Sequence, residues 1–383
     1  MPHARRPRKV ALISSYPLHV GGVETHLFSL MRHIGPDQVD WTVIGPCSAE
    51  FSAQAASRGA RIVQWKPAHV ADLASLRTLA GHLRRHDIAL AHFHCPRAAF
   101  MARPLTRWLG IPAVVTVHLP PYYFSNSSYT SGGFGRWLYM RMESALNRWF
   151  TTRLIYASSH VMREAAAMGL TDAVRTVFIG NGIDLARYET QRHRAALRQR
   201  HGIGDDEQLI ISVCRLDAQK GVDILLAAIA ELDLAAAGAW LWIAGDGPLR
   251  AALEQQARQT RSAARIVFQG FRDDVPQLLG ASDLFVLASR FEAMPYAILE
   301  AMAAGLPCVV TDTGENALMI EHGVSGYVVP VNDAPALTAA LKVALSDPAQ
   351  TWRMKKNARL RAEQYSDIET ARRISDIYLT AAP

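Results

Sequence analysis

Phe291-Glu292-Ala293-Met294-Pro295-Tyr296-Ala297-Ile298-Leu299-Glu300-Ala301-Met302 follows a short apolar run, Leu284–Leu287. The stretch reads as a loop turning into a helix that begins near Pro295. Glu292 then precedes the helix, and Glu300 lies about one and a half turns inside it. Apolar residues surround Glu300 (Ala297, Ile298, Leu299, Ala301, Met302). A Glu300 turned inward therefore needs a partner. Backbone N–H groups at the helix start, around Met294, Pro295 and Tyr296, can bind a phosphate or sugar hydroxyls. Two carboxylates eight residues apart can hold different parts of one elongated ligand.

The same strand–loop–helix unit repeats in both directions along the chain. Strand-like runs on the N-terminal side are Val10–Ser14, Trp41–Ile44, Ile62–Gln64, Ile88–Phe93, Ala113–Val117, Leu154–Ala157 and Val174–Ile179. Helical stretches such as Glu24–His33, Asp72–Arg85 and Ala98–Trp108 separate several of them. The pattern pauses near Asn181–Tyr188, where a charged segment follows, and a second series begins at Leu209–Val213. It continues through Trp240–Ala244, Arg265–Phe268, Leu284–Leu287 and Cys308–Thr311, and the chain from Ala334 onward reads as helices. Such alternation predicts an α/β chain of two Rossmann-like domains with parallel sheets. The expected division is 1–190, 191–365, and a terminal helix over 366–383 that packs back on the first domain. Two such domains imply a cleft, with ligands at the carboxyl ends of the strands.

At 383 residues the chain is long enough for two cored domains. Half its residues are apolar and a fifth charged, which is ordinary globular composition. No apolar run approaches the roughly 20 residues that span a bilayer. The basic Met1–Lys9 leads into Val10–Ile13, too short for a signal peptide, so a cytoplasmic protein is expected. Cys47, Cys95, Cys214 and Cys308 are widely spaced and read as single thiols, not a disulfide framework. Residues 1–200 carry 25 Lys+Arg against 11 Asp+Glu, a balance of +14; of the chain's 41 and 34, the remainder keeps 16 against 23, a balance of −7. The basic half suits an anionic partner (a membrane surface, a phosphorylated acceptor or a nucleic acid) or an arginine-rich solvated face.

Further candidates lie at strand ends. Gly21-Gly22-Val23-Glu24-Thr25 allows close backbone approach to an anion at a helix start, or a plain tight turn. It lacks the G-x-G-x-x-G spacing of a dinucleotide fold. Arg215 and Lys220 can neutralise a pyrophosphate as it leaves, or be ordinary loop charges. Gly245-Asp246-Gly247-Pro248 is scaffold before it is a ligand contact. His92 and His94 end a strand on one face, but no Asp, His or Cys at a recognisable spacing completes a metal site.

The Glu292/Glu300 spacing, the Arg215/Lys220 pair, Asn181-Gly182-Ile183-Asp184, Gly245-Asp246-Gly247-Pro248 and the double glycine occur here in one order. In that order the chain resembles the family-four retaining glycosyltransferases, over about residues 9 to 365. The resemblance implies a GT-B fold, a nucleoside-diphosphate sugar donor (UDP- or GDP-linked) and transfer with retention of configuration. It implies that Glu292 bonds donor-sugar hydroxyls, Glu300 binds the ribose, and Arg215 and Lys220 clamp the pyrophosphate. His118, ending the strand Val114–Val117, matches the histidine near the donor sugar, and Gly22 would lie beside the diphosphate. Gly270-Phe271-Arg272 matches a loop whose main chain contacts the base, and no cofactor or metal is implied. Two departures stand out. Ala293 replaces a frequent glycine, and Gly314-Glu315-Asn316-Ala317-Leu318 lacks the second glycine and later glutamate of a G-G-x-x-E segment.

Leu119 to Phe150 mixes Tyr122, Tyr123, Phe124, Tyr129, Phe134, Trp137, Tyr139, Trp149 and Phe150 with Arg136, Arg141 and Arg148. The mixture suits a membrane surface or lipid-linked saccharide acceptor, or a set of core aromatics. Pro120–Gly135 is expected to be mobile without acceptor. Front-face transfer is the expected chemistry, the leaving phosphate accepting the acceptor's proton. The alternative within the same architecture is a non-hydrolysing nucleotide-sugar epimerase. Nucleic acid is not an expected partner, because no recognisable RNA or DNA module is present.

Overall fold

The computed structural model describes residues 6–18, 21–119, 133–189 and 194–382. Most of Pro120–Gly135, with Tyr122, Tyr123, Phe124 and Tyr129, lies outside the described residues. The chain forms two compact units, Met1–Gly182 with Asp367–Pro383, and Ile183–Ser366.

The first unit holds β1 (Arg8–Ile13), β2 (Val39–Gly45), β3 (Arg61–Gln64), β4 (Leu90–Phe93), β5 (Ala113–Val117), β6 (Arg153–Tyr156) and β7 (Thr176–Phe178). They form one parallel sheet in the order β3-β2-β1-β4-β5-β6-β7. Val10, Ala11, Leu12 and Ile13 of the central β1 are buried, as expected of a strand covered on both faces. Intervening helices start at side-chain caps: Ser48 accepts from the Phe51 N–H, Asp72 from Ser75, and Ser158 from Val161. The terminal helix Asp367–Thr380 packs on Gly22–His33, where His33 Nε2 meets Asp367 Oδ2 at 2.7 Å. Tyr378 sits in the same core as Leu12, Leu27 and Leu30.

The second unit holds β8 (Gln208–Val213), β9 (Ala239–Ala244), β10 (Ile266–Gly270), β11 (Leu284–Leu287), β12 (Cys308–Thr311) and β13 (Gly326–Val329). This sheet is also parallel, in the order β10-β9-β8-β11-β12-β13. Strand alternation divides its core in two. Leu209, Ile211, Phe285 and Leu287 enter one cluster, while Ile210, Leu284 and Val286 enter the other. Each sheet reverses its winding at one place, between β1 and β4 and between β8 and β11. Those are the positions where open α/β sheets bind ligands.

Two expectations need correction. The first unit ends at Gly182, not at 190. The Ile183 N–H donates to the Tyr365 carbonyl at 2.8 Å, and Ile183 and Tyr188 lie in the second unit's core. The sequence reading also lacked β13, a four-residue strand opening on Gly326. A Cβ at Gly326 would collide with the Cys308 carbonyl, so glycine permits the pairing with β12. No described helix is long and apolar enough to cross a membrane.

Candidate active site

In the second unit the sheet's carboxyl ends carry Arg215, Lys220 and Glu292. Arg215 follows β8 with a side chain 69% exposed, paired with Asp217 Oδ2 at 2.7 Å. The chain then makes a short turn, Ala218–Lys220, closed by Gly221 at φ +61°. A Cβ at 221 would strike the Ala288 carbonyl, so the turn reaches the end of β11 only because residue 221 is glycine. The Arg290 N–H donates to the Gln219 carbonyl at 2.7 Å, and Gln219 Nε2 donates to the Phe291 carbonyl at 3.0 Å. The Arg290 guanidinium donates to the Ala218 carbonyl and grips both oxygens of Asp223 at 2.9 and 2.6 Å.

These bonds set Lys220 Nζ 2.5 Å from Glu292 Oε1, with the two side chains only 16% and 6% exposed. Ser289 Oγ donates to the same oxygen at 2.7 Å, and Thr311 Oγ1 donates to the Ser289 carbonyl at 2.6 Å. An ammonium and a carboxylate so far withdrawn from water are costly to keep unless paired. Arg215 is not part of this pair; the two cations expected to act together have different partners here.

Glu300 does have the partner its burial requires. Tyr188 Oη donates to Glu300 Oε1 at 2.8 Å across 112 residues of sequence. Burial raises the Glu300 carboxyl above its ordinary value, against the lowering effect of that bond. Burial, then the Glu300 charge, pushes the Tyr188 hydroxyl upward. Met294 and Tyr296 bury their side chains in the core, leaving only main chain to meet a ligand. The helix Tyr296–Ala303 has Pro295 at its N-cap and no side-chain cap. Gly270 has φ +67° and its carbonyl accepts from the Gly245 N–H at 2.7 Å, while Phe271 is exposed. Gly314 lies against the Glu292 carbonyl, and the Glu315 N–H donates to the Ala293 carbonyl at 2.8 Å.

In the first unit, Gly22 opens the helix Gly22–His33, and His118 lies just after β5. His118 joins a group of imidazoles. His118 Nε2 lies 3.2 Å from His94 Nδ1, and its ring centre 5.0 Å from that of His26. His92 is already satisfied, with Nδ1 2.6 Å from Tyr378 Oη and Nε2 2.7 Å from Thr116 Oγ1. Burial holds all four rings neutral: His92 is pushed down to about 3, His118 to about 4, and His26 and His94 well below the usual range. The sequence reading singled out His92 with His94 and missed His26, one helical turn beyond Gly22. It also missed Arg290, Asp223, Ser289 and Tyr188. Of the aromatic stretch, Phe134, Trp137 and Trp149 are exposed on the helix Gly133–Trp149, whereas Tyr139 is buried against Phe100.

Residues 21–182 match the glycosyl transferase 4-like domain, and residues 193–361 match the glycosyl transferases group 1. The α-D-kanosaminyltransferase of Streptomyces kanamyceticus is 31% identical over 318 residues, covering 77% of this chain and 78% of that enzyme. The chain belongs to the group 1 glycosyltransferases. An Escherichia coli relative, the UDP-Gal:α-D-GlcNAc-diphosphoundecaprenol α-1,3-galactosyltransferase, is 28% identical, covering 81% of this chain and 80% of that one. Among solved structures, Anabaena HepE in complex with UDP-glucose superposes with a TM-score of 0.83 at 22% identity, over 97% of this chain and 99% of that one. That likeness gives this glycosyltransferase the GT-B fold. Its class of reaction is transfer of a sugar from a nucleotide sugar; the matches do not support the epimerase reading.

Proposed function

We propose that this glycosyltransferase retains anomeric configuration, taking a hexose from a UDP- or GDP-sugar to a hydroxyl of a saccharide or lipid-linked saccharide. Cell-surface polysaccharide or glycolipid synthesis at the cytoplasmic face of a membrane is the setting. The observation that carries the reading is the buried Lys220–Glu292 pair. A donor diphosphate takes over Lys220, and sugar hydroxyls donate to the carboxylate so released; ligand binding replaces one set of charge-assisted bonds with another. Arg215, exposed to solvent, leaves Asp217 and joins Lys220 on the diphosphate. Gly22 and the main chain of Met294-Pro295-Tyr296 complete its surroundings. Glu300 binds the ribose, the main chain of Gly270-Phe271 the base, and His118 the donor sugar.

In the transfer step the bond from C1 to the leaving phosphate oxygen breaks as the acceptor oxygen attacks the same face. The departing phosphate takes the acceptor's proton, and Arg215 and Lys220 stabilise the charge that accumulates there. No metal is assigned to this step. Exposed Phe134, Trp137, Leu138, Met142 and Trp149 beside Arg136, Arg141 and Arg148 support a contact at headgroup level. The E. coli relative's lipid-diphosphate acceptor supports the same choice of acceptor class.

The test is to incubate the enzyme with α-configured UDP- and GDP-sugars and a saccharide acceptor, then assign the new linkage by NMR. An α product is expected, and UDP, GDP or ADP at 100 times its dissociation constant should add about 2.7 kcal/mol of stability. A β product from the same donors overturns retention. Conversion of the donor to an epimer without acceptor overturns the transferase reading.

A further inference from the structure

His26, His94 and His118 come from three separate elements of the first unit: the helix Gly22–His33, the segment after β4 and the segment after β5. One ring nitrogen from each lies within 4.8 Å of the other two. His94 and His118 share a short contact, yet two nitrogens stay unsatisfied. His26 Nε2 and His94 Nε2 are buried and have no hydrogen-bond partner among the described residues. Their residues are only 2% and 4% exposed. Leaving a buried polar atom unmatched costs about 1–3 kcal/mol, and such an atom in a native protein calls for a reason.

We infer that His26, His94 and His118 form a binding site for a divalent transition ion of the Zn2+ class, with three imidazole ligands and a fourth position open. Ring nitrogens about 2.0–2.1 Å from a tetrahedral zinc stand roughly 3.3 Å from one another. The 3.2 Å separation of His94 Nδ1 and His118 Nε2 is already close to that edge, so the ion takes His94 through Nδ1, and of the two unmatched nitrogens it satisfies His26 Nε2. His26 offers the third nitrogen, within 4.8 Å of the other two. Neutral imidazole is the form that ligates. His92, committed to Tyr378 and Thr116, packs its ring centre 4.0 Å from that of His94 and supports it from behind. Because His118 is also the residue assigned to the donor sugar, the bound ion blocks transfer; this consequence alone rests on the function proposed above.

The experiment uses chelator-treated, tag-free full-length enzyme titrated with Co2+ without any donor, and then with Zn2+. One equivalent of Co2+ should give the intense visible bands of a tetrahedral site, and Zn2+ should bleach them. His26→Gln and His118→Ala should each lower the affinity at least tenfold, with far-UV circular dichroism confirming that both variants fold. His160→Ala, a half-buried control outside the cluster, should leave the bands unchanged. Absence of the bands in the wild type, or bands that persist in both cluster variants, overturns the site. Bands without Zn2+ inhibition of transfer keep the site and overturn the role given to His118.

Discussion

The two units share a parallel sheet with one reversal of winding, yet their strand ends are chemically unlike. In the second, charges are matched, at the amino end of β11 in Asp283 with Arg194, Arg198 and Lys355, and at the carboxyl ends of the strands in Lys220 with Glu292 and Arg290 with Asp223. In the first, the corresponding ends gather imidazoles that burial keeps uncharged. A site that must release a diphosphate needs fixed cations, and cations near a sheet end need carboxylates while the ligand is away. Contacts to a sugar ring involve little net charge, and neutral donors and acceptors suffice. On the function proposed above, the division of labour along the chain is thus written in protonation state as much as in fold.

The largest effects should come from removing a buried charge in each unit. Asp283 accepts from Arg194 at 2.8 Å, Arg198 at 3.1 Å, Lys355 at 3.1 Å and the Leu209 N–H at 3.0 Å. Burial opposes its ionisation, but Lys355 and Arg194 outweigh that and hold the carboxyl below its usual value. Asp283→Ala strands Arg198, which is 1% exposed, and should cost about 3–5 kcal/mol in denaturant unfolding. The first unit's counterpart is Arg103, fully buried and bonded to Glu143, Asn147, Thr151 and the Ala99 carbonyl. Arg103→Ala strands one charge, Glu143, 16% exposed, beside the neutral Asn147 Oδ1, and should cost less than Asp283→Ala. The reverse order would break the claim that the second unit is the more charge-dependent.

Next comes turnover. Lys220→Ala should lower kcat on the order of 10²–10³-fold, the usual cost of losing a group that meets transition-state charge. His118→Ala, removing a neutral contact worth about 1 kcal/mol, should lower it roughly fivefold. Steady-state kinetics on the two variants decides this. Equal losses would mean that the first unit, too, acts through charge.

What could be read beforehand follows the same divide between local and long-range causes. The sheets were legible because Val- and Ile-rich runs such as Val114–Val117 recur between amphipathic stretches. Gly326–Val329 escaped because its four residues follow Gly323-Val324-Ser325 and look like the end of a loop. The domain boundary was set eight residues late because Arg187–Asp206 has a linker's charge, while Ile183 and Tyr188 are held by core contacts. Lys220, Arg215 and Glu292 stood out as charges at strand ends, and Glu300 as a charge in an apolar helix. Tyr188 and Arg290 could not stand out, since each is defined by a partner 112 or 67 residues away. His26 had no signal at all, because a histidine early in a helix gains meaning only from what packs beside it.

Acid should separate the units by at least about 2 kcal/mol. Between pH 6.5 and about 3, an unfolded histidine binds a proton that folded His92 refuses. The unfolded state then carries more protons, so stability falls as pH falls, by about 1.4 kcal/mol per unit. At pH 5, His92 alone accounts for about 2 kcal/mol lost from the first unit. In the second, the Arg265 bond holds Glu207 at about 2. Its contribution is present above pH 4.5 and is lost only as pH falls from there towards 2. Hydrogen exchange at pH 7 and pH 5, corrected for intrinsic rates, should therefore show β1, β4 and β5 losing protection before β8 and β11. Equal loss in both sheets would show that the imidazoles do not govern the first unit's acid response.

The smallest expected effect on stability distinguishes the two surfaces. Phe134, Trp137 and Trp149 are 74%, 56% and 65% exposed on a single helix of the basic half. Trp352 is 69% exposed on the helix Pro348–Ala362 of the acidic half. Replacing any of the four by serine should change stability by no more than about 0.5 kcal/mol, because little packing is lost. Partition onto vesicles containing anionic lipid is a different matter, since it depends on aromatic rings and cations lying together. The triple Phe134→Ser, Trp137→Ser, Trp149→Ser variant should lose most of its vesicle binding in a sedimentation assay, and Trp352→Ser should lose none. If both variants bind as the wild type does, exposed aromatics on the first unit serve no membrane contact, and its positive charge is a solvated surface.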